Sequence, residues 1–351
     1  MSFLLVRDIG EQGLLERLQR FCPPDIVGDD AAVIPCLELG QLLVVTTDVL
    51  VDGVHFSDRT TSPEDAGWRA AAANLSDLAA MGASPVGITV GLSITGDVAI
   101  SWIEQLYQGL TNCLNQYNTP LVGGDVCRSP VITLSITAFG QVFPDRVLRR
   151  SAAVAGDAIV VTGVHGASRA GLELLLNREF GQHLSEAERA YFIQAHQRPK
   201  PRLDVLPLLW ETLDSQSKIQ VALKAHQRCD PKSKIRVAGM DSSDGLADAV
   251  LQLCRASDVG ARIERTWIPL PPVLSQLVSP EQAQAWALYG GEDFELVLCL
   301  PPESAQALVE QLGEGAAIIG HITTGNNVWL TDSTDTYADE ELTLSRGFQH
   351  F

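Results

Sequence analysis

Five short stretches set aspartate beside glycine or a hydroxyl residue. They are Gly28-Asp29-Asp30, Thr46-Thr47-Asp48, Asp77 within NLSDLAAMG, Gly123-Gly124-Asp125 and Asp241-Ser242-Ser243-Asp244-Gly245. They sit where strand patterns end or helices begin. Hard cations such as Mg2+ prefer oxygen ligands, and Mg2+ usually takes a few carboxylates together with substrate phosphates and water. Aspartates on several loops are what a multi-metal phosphate site needs. Histidine and cysteine are nearly absent from these stretches, which disfavours zinc and iron. A Gly-Asp pair is also ordinary turn chemistry, so no single stretch decides the matter. Asp77 is harder to read as structural. It lies in an Ala/Leu-rich helix, where aspartate has poor propensity and is costly to bury unpaired. Its plain alternative is an exposed polar face.

Other chemistries leave no trace. The chain has no G-x-x-x-x-G-K-[ST] loop and no protein-kinase lysine with an H-R-D set. Its seven histidines lie outside the aspartate clusters, so no Ser-His-Asp arrangement emerges. The net charge of -18 argues against nucleic acid as a partner, whose footprint is basic. With 46% hydrophobic and 19% charged residues the chain is globular in composition. No apolar run reaches the roughly 18 residues of a membrane span. Seven scattered cysteines without a C-x-x-C pair fit reduced thiols in a cytosol. Residues 1–21 read as a first helix rather than a signal peptide.

The elements that must position these aspartates follow from the apolar patterns. Residues 42–49, 86–94 and 131–139 read as strands. Ser62-Pro63-Glu64-Asp65 is a helix start, with a cap, a proline in the first turn and acids at the positive end of the dipole. That helix should stop at Gly82, and a second should run from an Asp97 cap to Tyr117. After a break over 144–156 the pattern restarts. It gives strands at 158–162, 235–240, 294–300 and 316–322, and helices from 167, over 245–257 and over 303–312. We expect two α/β-type domains, residues 1–148 and 149–351, with the lysine-rich stretch 214–236 a solvated loop or insertion.

In this order the clusters resemble the thiamine-monophosphate kinase family, within the superfamily of aminoimidazole ribonucleotide synthetase and selenophosphate synthetase. The resemblance rests on GDDAAVI (28–34), TTDVLVDGVHF (46–56), NLSDLAAMGASP (74–85), LVGGDVCR (121–128), the arginine of LRRSAAVAGD (148–157), DSSDGLADAV (241–250), GGEDFELVL (290–298) and the ending GFQHF (347–351). It spans essentially the whole chain. It implies the aminoimidazole ribonucleotide synthetase-like fold: an N-terminal α+β domain that pairs in a homodimer, and a C-terminal α/β domain. It also implies a cytoplasmic enzyme that uses ATP and several Mg2+ ions to phosphorylate thiamine monophosphate to the diphosphate, the final step of thiamine diphosphate biosynthesis. By motif position, Asp30, Thr46, Thr47, Asp48, Asp77, Asp125, Asp241 and Asp244 are the implied metal ligands. Gly124, Asp125, Arg150 and Ser243 are implied at ATP, and His55, Glu292 and Phe348 at the thiamine phosphate. A family position that is tyrosine in some members falls at Gln108 and carries no assignment.

The acceptor of such a reaction is itself a phosphate monoester, already anionic, so no strong general base is required. Positioning and charge stabilisation of a loose transition state suffice. The nearest rivals are other ATP-using members of the superfamily. Selenophosphate synthetase should show a catalytic cysteine or selenocysteine and a lysine in a glycine-rich segment before Asp29, and no such segment is there. The purine enzyme should lack the pairing of NLSDLAAMGA with GGEDFEL. A non-catalytic nucleotide-binding protein should have lost some of the aspartates.

Overall fold

The computed structural model describes residues 32–35, 40–223 and 236–346. The first sheet has five strands: β1 (Ala32–Pro35), β2 (Leu42–Val51), β3 (Ser84–Ile94), β4 (Leu121–Arg128) and β5 (Thr133–Val142), in the order β1-β2-β5-β3-β4. Only the β3–β4 pair is parallel. Two helices, α1 (Pro63–Ala80) and α2 (Ile100–Gln116), cover one face. Strand side chains alternate between faces. On β2, Val44, Thr46 and Leu50 are therefore buried on the helix side, while Thr47 and Val49 are exposed on the other. That second face is uncovered among the described residues.

The second sheet has seven strands: β6 (Ala158–Val161), β7 (Ala238–Asp241), β8 (Gly260–Glu264), β9 (Leu296–Leu300), β10 (Ala317–Thr323), β11 (Val328–Thr331) and β12 (Glu340–Glu341). Their order is β12-β11-β8-β10-β6-β9-β7. Around it lie α3 (Ala167–Leu176), α4 (Glu186–Gln197), α5 (Val205–Leu223), α6 (Leu246–Ser257), the single turn α7 (Leu274–Leu277), α8 (Pro280–Tyr289) and α9 (Pro302–Leu312). Strand β9 explains why this sheet reads as unbroken apolar runs. Val297 and Cys299 pack toward α6, and Leu296, Leu298 and Leu300 toward α5 and α9, so both faces are dry. The first half is thus a sheet covered by helices on one face, and the second a sheet covered on both, with β8–β11 its one parallel pair.

Helix α1 serves both halves. Its N-cap is Ser62, whose hydroxyl accepts from the Asp65 amide, with Pro63 in the first turn. Ala66, Ala70, Ala71, Leu75 and Leu78 pack into the core of the first sheet. Asp65, Trp68, Arg69 and Ser76 recur at helical spacing and reach the other half. Trp68 Nε1 donates to the Pro199 carbonyl at 2.8 Å, and Arg198 Nε donates to Asp65 at 2.6 Å. Ala79 and Ala80 finish in a cluster with Leu148, Trp210 and Leu298. The alanine run lets α1 lie close to everything around it.

Three expectations change. Helix α2 begins at Ile100 with no side-chain cap, and Asp97 instead accepts from the Thr95 hydroxyl just outside it. Residues 214–223 are not loop but the second half of α5. The apolar stripe Val205, Leu206, Leu209, Trp210 and Leu213 anchors the helix, and no glycine or proline interrupts it from there to Leu223. Residues 224–235 lie outside the described residues, as does the expected N-terminal helix. The Gly-Gly-Asp stretch is no loop either: it lies inside β4, where pairing with β3 overrides turn composition. No described helix is long and apolar enough to cross a membrane.

Helices α1 and α2 cross in backbone contact. A Cβ on Gly109 would stand 1.7 Å from the Glu64 carbonyl oxygen, and one on Gly67 1.9 Å from that of Leu106. Gly109→Ala should therefore cost about 3 kcal/mol in chemical denaturation. Gly96→Ala, with nothing within 4 Å, should change stability by less than about 0.5 kcal/mol. Equal midpoints for the two variants would refute the tight crossing.

Candidate functional site

Residues from both halves converge where α1 passes the end of β7. Pleating turns Thr46 and Asp48 of β2 toward α1, and consecutive residues of α1 then point two ways. The Thr46 hydroxyl donates to the Asp77 carboxylate, while the Ser76 hydroxyl donates to Asp241 Oδ2 at 2.6 Å. Asp241 ends β7 fully buried and takes a second donor, the Ser243 hydroxyl, at 2.9 Å. Burial pushes its carboxyl above the ordinary carboxylate range. The Ser76 and Ser243 hydroxyls and the Arg150 guanidinium pull it down, and the Asp48 carboxylate adds to the rise. Asp48 of the first sheet and Arg150 beyond it thus act on one carboxylate of the second. Arg150 starts a 3-10 turn pinned by Ser257, whose hydroxyl donates to the Arg150 carbonyl at 2.7 Å.

A second group lies on the loop before β9. Glu292 (φ 60°) and Phe294 (φ 53°) are non-glycine residues in the left-handed region, beside Gly291 (φ 66°). Such conformations cost of order 1–3 kcal/mol each and persist where surroundings enforce them. Here the enforcing contact is the 241–245 loop. The Glu292 amide donates to the Ser243 carbonyl at 2.7 Å, and a Cβ on Gly291 would meet that same oxygen at 2.7 Å. The Glu292 carboxylate accepts from the Arg69 guanidinium of α1, with His196 Nδ1 3.5 Å away. Burial opposes its ionised form, but Arg69, His196 and His55 outweigh it and hold the carboxyl below the usual range. His55 follows β2. Its Nδ1 accepts the Val51 amide at 3.0 Å, which leaves the proton of a neutral ring on Nε2.

The neighbouring acids have other tasks. Asp293 accepts from the amides of Gly166 (2.7 Å) and Ser168 (2.9 Å) and so caps α3. Burial, together with Glu295 and Glu292, pushes its carboxyl up to about 7 against those two donors. Glu295 accepts from Thr162 at 2.6 Å and pairs with Arg202.

Of the residues picked from sequence, the structure thus gathers Thr46, Asp48, Asp77, Arg150, Asp241 and Ser243, and beside them His55 and Glu292. Asp244 is exposed on the same loop. Thr47 is not gathered. Strand alternation sends its hydroxyl to the uncovered face, where it donates to the Ile136 carbonyl at 2.6 Å. Gly124 and Asp125 are also apart, since β5 and β3 separate β4 from β2, roughly 14 Å at ~4.8 Å per strand. They line an open groove of 710 Å³ with Tyr107. Glycine at 124 has a packing reason, because a Cβ would stand 2.4 Å from the Val90 carbonyl oxygen. Asp30 and Phe348 lie outside the described residues. Arg69, Ser76 and His196 were missed, although the stripe Asp65, Arg69, Ser76 was visible as i, i+4, i+11.

Among the described residues no three His, Cys, Asp or Glu side chains stand close enough to cage a metal ion. Mg2+ does not require a cage, since it keeps waters and takes phosphate oxygens. The donors fit such an ion. They are all oxygen, and Asp241 is a buried carboxylate whose charge burial and Asp48 disfavour.

Two family models match the chain: AIR synthase related protein, N-terminal domain, over residues 28–142, and its C-terminal domain over 154–332. The thiamine-monophosphate kinase of Synechococcus elongatus is 54% identical over 352 residues, covering 100% of this chain and 99% of that protein. That of Escherichia coli K12 is 39% identical, covering 93% and 91%. Among solved structures, AaThiL complexed with AMPPCP and TMP superposes with a TM-score of 0.78 at 29% identity, covering 100% of both chains.

Folding forces Asp241 to ionise where its charge is disfavoured, so this group lowers ligand-free stability once pH rises above the ordinary carboxylate range. Asp48→Asn removes part of that penalty. It should raise the ligand-free Tm at pH 7 by about 1–3 °C, with the gain shrinking toward pH ~3, where carboxyls are protonated in folded and unfolded chains alike. Melting curves at the two pH values decide it. A lower Tm at pH 7 would make Asp48 a fold determinant.

Proposed function

The chain belongs to the thiamine-monophosphate kinase family of AIR synthase related proteins, and we propose that it transfers the terminal phosphoryl group of ATP to thiamine monophosphate, giving thiamine diphosphate and ADP. The observation that carries this is the 54% identity, which runs over the whole chain and so includes both sides of the Asp48–Asp241 junction. AaThiL, matched over its full length, was solved with AMPPCP, an ATP analogue, and TMP, which we read as thiamine monophosphate.

We assign the roles as follows. Asp48, Asp77 and Asp241, with Thr46, form the core of the Mg2+ site, and Asp30, Asp244, Asp125 and Thr47 complete it. Bound Mg2+ supplies neutralisation of the phosphates and alignment of donor with acceptor. Arg150 offers a forked donor to ATP phosphate oxygens, with Ser243 and Gly124 beside the nucleotide. Glu292 and His55 hold the amino or cationic part of the thiamine phosphate, and Phe348 its ring. The acceptor oxygen is already anionic, so these residues position and neutralise rather than abstract a proton.

We also propose a cytoplasmic homodimer, with the chain divided at residues 148 and 149. The uncovered face of the first sheet supports the dimer. Its positions on β2 to β5 include Val45, Val49 and Phe139, and Asp125 is the one charged side chain that alternation places there. Pairing of two such faces sets Asp125 of one subunit over strand β2 of the other, whose opposite face carries Asp48.

Two experiments test these readings. Chromatographic product analysis with ATP and Mg2+ should show the diphosphate from thiamine monophosphate and no turnover of free thiamine. Equal activity on free thiamine would refute the phosphate-acceptor mechanism. For the dimer, Asp48→Asn and Asp125→Asn should each abolish most activity. Their co-expression should restore up to about a quarter of it, since half of the dimers then hold one intact site of two. Additive loss with no recovery would place Asp125 in its own subunit's site.

A further inference from the structure

We infer that Arg69 and His196 are positioning residues for the thiamine phosphate, fixing the Glu292 carboxylate across the boundary between the two halves. The inference rests on the proposed contact between Glu292 and that substrate, and extends it. Arg69 stands in the alanine run of α1, where its side chain is only 4% exposed. A guanidinium is seldom buried there without a partner to serve. Its Nη2 donates to Glu292 Oε1 and its Nη1 to the His196 carbonyl, so one side chain of the first half grips both the acid and the helix behind it.

The arrangement is poor as a device for stability alone. Arg69 Nε is buried without a hydrogen-bond partner, an expense that a well-packed apolar side chain would avoid. Glu292 itself sits at φ 60°, held by the Ser243 carbonyl. Backbone strain and a buried charge pair converge on one carboxylate that still keeps 35% of its side-chain surface exposed. That combination fits a group held ready for a ligand.

His196 completes the support. It is buried on α4, and its Nδ1 lies 3.2 Å from the Ser168 hydroxyl and 3.5 Å from Glu292 Oε2. Burial, with Arg69 beside it, pushes its pKa down to about 4, so the ring is neutral at pH 7. It braces Glu292 without cancelling its charge. The carboxylate therefore stays anionic toward an amino or cationic group of the substrate.

Steady-state kinetics on Arg69→Met, Arg69→Lys, Glu292→Gln and the double variant Arg69→Met/Glu292→Gln test this. Arg69→Met should raise KM for thiamine monophosphate about tenfold, with KM for ATP unchanged within about twofold. Lysine, which reaches one of the two acceptors, should recover part of the loss. The double variant should be no worse than Glu292→Gln, because Arg69 acts through that carboxylate. If Glu292→Gln raises KM while Arg69→Met does not, the positioning role is overturned and the reading of Glu292 stands. If Glu292→Gln leaves KM unchanged, the reading of Glu292 falls, and this inference with it. Equal losses toward both substrates would mark Arg69 as merely structural. Should Arg69→Met fail to fold, His196→Gln carries the same test, with about a threefold rise expected in KM for thiamine monophosphate alone.

Discussion

Helix α1 is shared, and the rest of the arrangement depends on that. An α-helix shows neighbouring residues to different surroundings, about 100° apart, so Ser76 and Asp77 serve different halves of the molecule. Asp77 receives the Thr46 hydroxyl of its own sheet, and Ser76 reaches Asp241 of the other. Two turns before them, Arg69 and Trp68 anchor to Glu292 and Pro199. Small residues make this possible, because Gly67 and the alanines let α1 contact α2 and both sheets at short range. A bulkier helix would pack against one sheet and leave the other without its aspartates' partners.

The second constraint is electrostatic. The loops at 241–245 and 290–294 are bonded to each other through the Ser243 carbonyl and the Glu292 amide. Both carry acids, and each acid is stabilised differently. Asp293 is absorbed by a helix N-terminus, Glu295 by Arg202, and Glu292 by Arg69. Asp241 has hydroxyls and Arg150 but also the repulsion of Asp48, and its carboxyl, like that of Asp293, is held above the ordinary range. Sites that bind cations are commonly built in this way, with local stability given up for function.

How much of this was legible depended on the range over which each signal acts. Strand alternation and helical periodicity are local, and they placed β2, β3, α1, α6 and β9 within a few residues. Asp77 announced itself because it contradicted the helix around it, and its partner on β2 explains why. Thr47 could have been set apart from Thr46 and Asp48 by the same alternation, since a period of two allows only one of two neighbours to face the helix. The strand β4 was hidden by its glycines, which read as a turn until β3 pairs with them. Residues 214–223 were hidden by polarity, although the apolar half of α5 already commits them. Arg69 and Glu292 are 223 residues apart, and no composition or spacing links them. His196 is likewise silent until α4 packs beside α1.

The charge balance brings these points together. The chain carries a net charge of -18, and both substrates of the proposed reaction present anionic phosphates. At physiological ionic strength fields are screened beyond about 8 Å, so the total matters less than what stands within a few ångströms of the phosphates. There the structure offers carboxylates from two sheets with Arg150 beside Asp241. On that balance alone a phosphate would be repelled. Hydroxyl donors to Asp241 and Asp77 hold those carboxylates in place without neutralising them, which keeps their charge available to cations. On the proposed reading, cation binding and phosphate binding are coupled, because neither charge set is well accommodated without the other. An acidic protein can act on two anionic substrates for this reason, and its most conspicuous sequence feature, aspartates scattered on separate elements, is the feature the coupling requires.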